Sequence, residues 1–176
     1  RILIRISALL HDIGHAPFSH PSEELMPVIP GTLKRYKHED YSAAIIHHLF
    51  RDVIDNNTFN VNYDISAKDV SDFLSRLHVL PAALIWKDII SGQLDADRAD
   101  YLLRDSHHIG VAYGRYDLHR LMKTITIAND PESGAPRLAV EEGGIHTAEA
   151  LIIASYMMFT QVYFHHTRRA YDHHIT

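Results

Sequence analysis

Cysteine is absent from this sequence of 176 residues. Its absence excludes a disulfide framework and any zinc site built on thiolates. Histidine, aspartate and glutamate are therefore the candidate metal ligands. An excess of basic charge is also lacking, because 17 Lys and Arg stand against 22 Asp and Glu. Without a basic stripe, duplex nucleic acid is not an expected partner.

Long apolar runs are lacking as well. The opening segment RILIRISALL contains two arginines and is too short to span a bilayer, so the sequence predicts a cytoplasmic protein that does not contact a membrane. Glycine and proline number only 8 and 7. A chain of this length with 46% hydrophobic residues buries roughly 70% of its unfolded surface. We therefore predict that residues 1–176 form a single domain.

Hydrophobic periodicity predicts a mainly α-helical fold. After a first helix that ends near Gly14, a second helix is predicted over residues 39–54. The apolar and histidine residues at helical spacing in it are Tyr41, Ala44, Ile45, His48 and Leu49. Further along, Ser66 and Asp69 have the spacing of a capping box, which predicts that another helix begins there.

The C-terminal half contains the only predicted strands. The segments TITIAND and PRLAVEE, joined by the turn-prone PESGA, predict a small β-hairpin insertion near residues 121–142. Asp117 is placed to cap a short helix before this hairpin. From about His146, apolar residues at helical spacing predict one long final helix.

Histidine is the residue in excess, with 15 in the chain. Within LLHDIGHAPFSH, residues 9–20, His11 and Asp12 are adjacent near the end of the first helix. They present a nitrogen and an anionic oxygen about 100° apart around the helix axis, which suits two ligands of one divalent ion. The alternative is a polar final turn that meets water and stabilises the helix dipole.

Two further histidines favour a functional site in this stretch. His15 follows four residues after His11, and a turn after Gly14 is needed to carry His20 back towards the same space. Four titratable residues within ten positions beside an apolar helix are typical of a site.

A second group of charged residues lies in DADRADYLLRDSHH, residues 95–108. Asp97, Tyr101, Asp105 and His108 fall on one helix face. This pattern also fits a solvated face with Asp–Arg pairs. A carboxylate from this helix could supplement the ligands in the first stretch.

These two stretches, together with HE at residues 38–39, resemble the HD-domain phosphohydrolases, specifically the branch that includes the deoxynucleoside triphosphate triphosphohydrolases. The resemblance extends from residue 1 to about 176. It implies a mainly α HD-domain helical bundle. It also implies a divalent metal ion (Mg, Mn, Fe, Ni, Co or Zn) held by His11, Asp12 and Asp97.

The resemblance assigns roles to further residues. It implies that His15 and His38 line the phosphate path, that His20 paired with Glu23 is the general acid, and that Glu39 supports the site. The positions that match substrate contacts are Arg98, Tyr101 and Asp105 on the second stretch and Arg168, Arg169, Tyr171 and His173 near the C-terminus.

The implied activity is hydrolysis of deoxynucleoside triphosphates to deoxynucleoside and triphosphate by a metal-activated water. The implied partners are a nucleotide substrate, further copies of the chain in a dimer or tetramer, and a nucleotide activator. One alternative is another HD phosphohydrolase that acts on a nucleoside monophosphate, a cyclic nucleotide or a guanosine polyphosphate. The other is a nucleotide-binding regulatory module without catalytic activity.

The sequence departs from the family pattern at one ligand. The family's first metal histidine precedes the HD pair, and this sequence has no histidine before His11. We expect that the chain is a fragment and that the missing histidine belongs to upstream helices. The alternative is a site that has lost this ligand, with correspondingly weaker metal binding.

Overall fold

A computed structural model describes residues 1–75 and 84–176. The described residues are mostly helical with one two-stranded sheet, which confirms the predicted fold class. They divide into two compact units. The first comprises the residues up to 75 together with Tyr171–Thr176, and the second is Leu84–Ala170. Within the described ranges, no helix is long and apolar enough to cross a membrane.

The first unit is built on a small helical core. Its α-helices before residue 76 are α1 (Ile2–Leu10), α2 (His38–His48), α3 (Arg51–Asp55) and α4 (Ala67–Leu74). Ile46 of α2 and Val70 of α4 are fully buried at its centre, and Leu3, Ile6 and Leu10 of α1 pack against them. This packing places the C-terminal end of α1 beside α2, and the histidine-rich stretch begins at that end.

The second predicted helix is interrupted. The prediction of a continuous helix over residues 39–54 is wrong, because α2 ends at His48 and α3 begins at Arg51. The amides of Leu49 and Phe50 both donate to the carbonyl of Ile45, at 2.8 and 3.2 Å, so the helical hydrogen-bond register is lost at this point.

The buried face of α2 also differs from the apolar spacing in the sequence. Its buried residues are Ser42, Ala43 and Ile46, whereas Ala44 and Leu49 are exposed. A buried serine on this face is a polar contact that hydrophobic periodicity does not detect.

The capping box predicted at the start of α4 is confirmed. Ser66 Oγ accepts a hydrogen bond from the Asp69 amide at 3.1 Å, and Asp69 Oδ2 accepts from the Ser66 amide at 2.8 Å. The Ser66 hydroxyl also donates to Asp69 Oδ2 at 2.6 Å. The hydroxyl and the amide of Ser66 together hold the pKa of Asp69 below its usual value.

Replacing Ser66 with alanine should therefore lower the free energy of unfolding by about 1 kcal/mol, because the Asp69 amide loses its acceptor and the Asp69 carboxylate loses the hydroxyl donor. Urea unfolding at neutral pH measures the change. A lowered native pKa gives stability that is lost as the pH falls through it, so the difference should shrink in acid. Ser66→Thr, which keeps the hydroxyl, is the control; equal destabilisation by both variants would contradict the capping argument.

The second unit contains further helices and the sheet. Its elements are α5 (Leu84–Ser91), α6 (Ala96–Ile109), α7 (Leu118–Thr124), β1 (Ile125–Asn129), β2 (Pro136–Val140) and α8 (Ile145–Met158). Its core comprises Leu102, Leu121, Leu151 and Met158. The antiparallel strands pair from Ile125 with Val140 to Asn129 with Pro136, and the hairpin prediction is confirmed.

The final predicted helix is not continuous. After α8 the backbone forms a π-helical turn, Phe159–Tyr163, and a last helix, α9 (His166–Ile175), follows. The Phe164 amide donates to the Phe159 carbonyl, five residues earlier, at 2.8 Å. The additional residue in this turn changes which side chains face the core.

Candidate active site and metal centre

The site in the first unit begins where α1 ends. His11 Nδ1 lies 2.7 Å from the carbonyl oxygen of Ala8. A carbonyl oxygen only accepts, so Nδ1 carries the proton and the lone pair of this imidazole is on Nε2. Asp12 Oδ1 lies 3.2 Å from His11 Nε2. The local helix end therefore presents one nitrogen donor and one carboxylate donor side by side.

Ser42 joins this helix end to α2. Its hydroxyl donates to the His11 carbonyl and accepts from the Gly14 amide at 2.9 Å. Ser42 is fully buried, and Gly14 packs so closely that an added Cβ would overlap the His38 carbonyl and the Ser42 amide. Two features thus set the position of the HD pair: residue 14 has no side chain, and residue 42 has a hydroxyl that binds the backbone.

Replacing Gly14 with alanine should destabilise the protein by about 1–3 kcal/mol, because the methyl group overlaps backbone atoms that cannot move independently. Chemical denaturation measures this effect. Gly143→Ala is the matched control, since its Cβ meets only the flexible end of Arg120 at 3.3 Å. If the two variants had equal free energies of unfolding, the close approach of Gly14 to α2 would not contribute to stability.

A strained turn returns the chain to the site after His15. Phe18 and Ser19 have φ angles of 68° and 57°, which are unusual for residues with a side chain. This turn places the His20 ring 4.9 Å from the His15 ring in an edge contact. Ser19 Oγ lies 3.2 Å from His15 Nδ1.

The imidazoles of His15 and His38 are stacked. Their ring centroids are 3.9 Å apart and their planes differ by 13°. The His38 side chain is only 12% exposed. Burial, followed by the charge of His38, lowers the pKa of His15. The Nε2 atoms of both rings lie within 3.7 Å of Asp12 Oδ1, so they face the same side of the stack, which suits two oxygens of an extended anion.

Glu23 connects the histidines on the side away from Asp12. Its Oε1 accepts from His38 Nδ1 and lies 3.4 Å from His20 Nδ1. Partial burial raises the pKa of Glu23, but its hydrogen bonds and charge interaction with His38 and its hydrogen bond with His20 outweigh burial and hold that pKa below its usual value. Glu39 Oε2 lies 3.5 Å from the same nitrogen of His38.

Asp12 contacts both His11 and the stacked pair of His15 and His38. Besides its contact with His11, its Oδ1 is 3.5 Å from His15 Nε2 and 3.7 Å from His38 Nε2. The structure therefore brings together seven predicted site residues of the first unit: His11, Asp12, His15, His20, Glu23, His38 and Glu39.

The remaining predicted residues of the second stretch lie on α6 in the second unit. Asp97 is in its first turn, after the N-cap Asp95. Arg98 donates through Nη1 to the Gln93 carbonyl at 3.1 Å, and Tyr101 is half-buried. Burial raises the pKa of Tyr101, so its hydroxyl remains protonated at neutral pH.

Asp105 has a partner that the sequence did not indicate. Tyr163 donates its hydroxyl hydrogen bond to Asp105 Oδ2 at 2.7 Å, and the rings of Tyr101 and Tyr163 are in edge contact with centroids 6.0 Å apart. Fifty-eight positions separate Tyr163 from Asp105 in sequence. No spacing rule connects residues so far apart.

The C-terminal candidates belong to the segment after the π-helical turn. Arg168 Nη1 donates to the Tyr163 carbonyl at 2.6 Å, and the Arg169 guanidinium lies 5.6 Å from the centroid of the Phe164 ring. Tyr171 is exposed, and His173 is in the last turn of α9. These four residues remain predicted substrate contacts.

Comparison with known sequences identifies the family. Residues 1–105 match the HD domain, and residues 116–174 match the HD associated region. The chain belongs to the HD-domain family. HD domains are metal-dependent phosphohydrolases, and the resemblance found in the sequence is confirmed.

Several relatives cover nearly the whole chain. An uncharacterized protein of Methanocaldococcus jannaschii is 37% identical over 97% of this chain and 32% of its own length. An uncharacterized protein of Bacillus subtilis is 32% identical over 97% of this chain and 35% of its own length. The chain thus spans about a third of the length of these relatives.

A relative with a named activity matches a smaller part. The deoxynucleoside triphosphate triphosphohydrolase SAMHD1 homolog of Dictyostelium discoideum is 31% identical over 72% of this chain and 24% of its own length. Among solved structures, a phosphohydrolase from Bacteroides thetaiotaomicron has a TM-score of 0.70 at 30% identity. The match covers 97% of this chain and 36% of that one. A hypothetical protein from Aquifex aeolicus has a TM-score of 0.73 at 30% identity, covering 96% and 42%.

The metal ion of this family fits the donors of the HD pair. Ligands bound to a divalent ion at about 2.1 Å lie about 3 Å from each other in neighbouring positions, and His11 Nε2 and Asp12 Oδ1 are 3.2 Å apart. The Ala8 carbonyl accepts from His11 Nδ1 and fixes the tautomer, and metal-bound histidines commonly donate their other ring N–H to a carbonyl in this way.

Proposed function

We propose that this HD-domain protein hydrolyses deoxynucleoside triphosphates to deoxynucleoside and triphosphate. The observation that carries the proposal is the stacked pair of His15 and His38 between Asp12 on one side and His20 with Glu23 on the other. The 31% identity to a protein named deoxynucleoside triphosphate triphosphohydrolase supports this substrate class.

His11 and Asp12 would hold the metal ion, together with Asp97 by family resemblance. When bound, such an ion supplies a water of lowered pKa and an electrophile for phosphoryl oxygens. Because Asp12 also lies within 3.7 Å of both stacked histidines, it sets the distance between the metal ligands and the residues that bind phosphate.

His15 and His38 bind the phosphate chain. Their stacked rings offer N–H groups to oxygens of the triphosphate, and hydrogen bonds to these anionic oxygens strengthen as charge develops during transfer. His38 is held by Glu23 and Glu39, so its ring is fixed before the substrate arrives. Glu39 acts on the substrate only through His38.

His20 donates the proton to the leaving oxygen. Hydrolysis forms a bond from the water oxygen to the α-phosphorus and breaks the bond from that phosphorus to the 5′-oxygen, which must gain a proton. The His20 side chain is 68% exposed and its Nδ1 is close to the Glu23 carboxylate. A general acid must present a proton to the 5′-oxygen, and the exposed imidazole can reach a substrate while Glu23 orients it.

Residues of the second unit recognise the rest of the nucleotide. We assign Arg98 to phosphate, Tyr101 to the face of the deoxyribose and Asp105 to its 3′-hydroxyl. The guanidinium Nε of Arg98 is buried without an acceptor among the residues the structure describes, so this charged donor has no protein partner there. The C-terminal residues proposed to contact the nucleotide are Arg168, Arg169, Tyr171 and His173.

Identification of the products tests this proposal. The purified protein should be incubated with each deoxynucleoside triphosphate and a divalent metal, and the products separated by ion-exchange chromatography. Release of inorganic triphosphate and deoxynucleoside is expected. Orthophosphate or pyrophosphate would instead indicate another HD phosphohydrolase, and nucleotide binding without turnover would indicate a regulatory module.

A further inference from the structure

We propose that Tyr163 is a positioning residue that holds Asp105 in the orientation needed to bind the 3′-hydroxyl of the substrate sugar. This inference rests on the proposed function, because the role of Asp105 belongs to that function. Tyr163 itself is outside the residues that the sequence predicted for the site.

The contact between the two side chains is direct. The Tyr163 hydroxyl donates to Asp105 Oδ2 at 2.7 Å, and the Asp105 side chain is 30% exposed. Burial, and then the hydrogen bond to Asp105, raise the pKa of Tyr163. The phenol therefore remains a donor at every physiological pH. A phenol that donates to one carboxylate oxygen leaves the other oxygen as an acceptor for a ligand hydroxyl.

The second carboxylate oxygen of Asp105 is only loosely engaged. Its Oδ1 lies 3.6 Å from Arg104 Nη1, and the Arg104 Nε donates instead to Asp100 at 2.9 Å. A distance of 3.6 Å is too long for a hydrogen bond. Asp105 thus has one oxygen fixed by Tyr163 and one that can accept from substrate.

The backbone is shaped to place Tyr163 in this position. Tyr163 ends the π-helical turn Phe159–Tyr163, in which one additional residue rotates the following side chains by about 100° relative to an α-helix. The Phe159 ring contacts the Tyr163 ring, with centroids 5.2 Å apart, and Arg168 holds the Tyr163 carbonyl. π-helical turns within α-helices occur frequently at functional sites.

Tyr163 also borders the ring that is assigned to the sugar. Its edge contact with Tyr101 makes Tyr101 and Asp105 neighbours of one partly buried phenol. A single residue from the far end of the second unit therefore supports both predicted sugar contacts of α6.

The test removes only the hydroxyl, with Tyr163→Phe. It compares a 2′-deoxynucleoside triphosphate with the 2′,3′-dideoxynucleoside triphosphate of the same base, which lacks the 3′-hydroxyl. Both kcat/KM and the dissociation constant, measured by calorimetry with a non-activating metal, should be determined. We expect the variant to lose about tenfold in kcat/KM and in affinity for the deoxynucleotide, mainly through KM, because a charge-assisted hydrogen bond that orients Asp105 is lost. The dideoxynucleotide should bind and react equally with both proteins.

A double-variant cycle links the effect to Asp105. In the Asp105→Ala background, Tyr163→Phe should have no additional effect on deoxynucleotide affinity, since the two residues act through one contact. Tyr156→Phe is the matched control on α8, because Tyr156 is 65% exposed, and it should behave as the unmodified protein.

The outcomes separate the possibilities. Equal losses for both nucleotides in Tyr163→Phe would show a structural role only and would overturn the inference, as would no loss for either. If the unmodified protein binds a deoxynucleotide without hydrolysing it, the proposed function fails, and the affinities still decide the role of Tyr163. Failure to bind any deoxynucleotide would overturn both.

Discussion

Replacing Asp12 with alanine should abolish metal binding and hydrolysis together. The Asp12 carboxylate lies 3.2 Å from His11 Nε2, and it is also within 3.7 Å of the stacked histidines. Its loss removes one of the three proposed ligands, and the remaining pair, one imidazole and one carboxylate, binds a divalent ion more weakly. Metal content by mass spectrometry and release of triphosphate measure the two effects.

The fold should survive this substitution. The Asp12 side chain is 49% exposed and caps no helix, so the circular dichroism spectrum should be unchanged. Asp52→Ala, at an exposed acidic residue in the first turn of α3, is the control and should retain metal and activity. Full activity in Asp12→Ala would refute the metal site as assigned.

Replacing His20 with alanine should reduce turnover by about 10²- to 10⁴-fold, the usual contribution of a general acid. Metal content and nucleotide affinity should be retained, because His20 lies on the Glu23 side of the stacked histidines and not beside His11. Single-turnover kinetics together with metal analysis separate the chemical step from binding.

Two results would reassign His20. Loss of metal in His20→Ala would make it a ligand, and unchanged turnover would mean that the proton comes from another group. His146→Ala is the matched control, since its side chain is 98% exposed and pairs with Glu149 on α8. That variant should have the turnover of the unmodified protein.

Local features of the fold could be predicted because their causes lie within a few residues. The capping box of Ser66 and Asp69 uses side chains three positions apart, and Asp117 caps α7 by accepting from the Arg120 amide at 2.8 Å. The hairpin required only two strands and a turn-prone connection. Such contacts hold in almost any tertiary context.

Predictions failed where a distant residue decides the local structure. The helix over residues 39–54 breaks at Leu49, and the final helix becomes a π-helical turn at Phe159–Tyr163. Periodicity also missed the burial of Ser42, whose hydroxyl binds the backbone of another helix end. These outcomes depend on packing between elements, which sequence spacing does not record.

The sequence by itself determined which chemical groups this protein has available and which family it belongs to. The stretch around His11 and Asp12, and the acidic helix with Tyr101 and Asp105, contain these groups in consecutive or helically spaced positions, and such motifs are recognisable without coordinates. Only the tertiary structure decided that His15 stacks on His38, that Glu23 binds His38, and that Tyr163 donates to Asp105. The physical reason is that a hydrogen bond or a ring contact requires a position within a few ångströms, and residues 15 to 58 positions apart acquire such positions only when the chain packs.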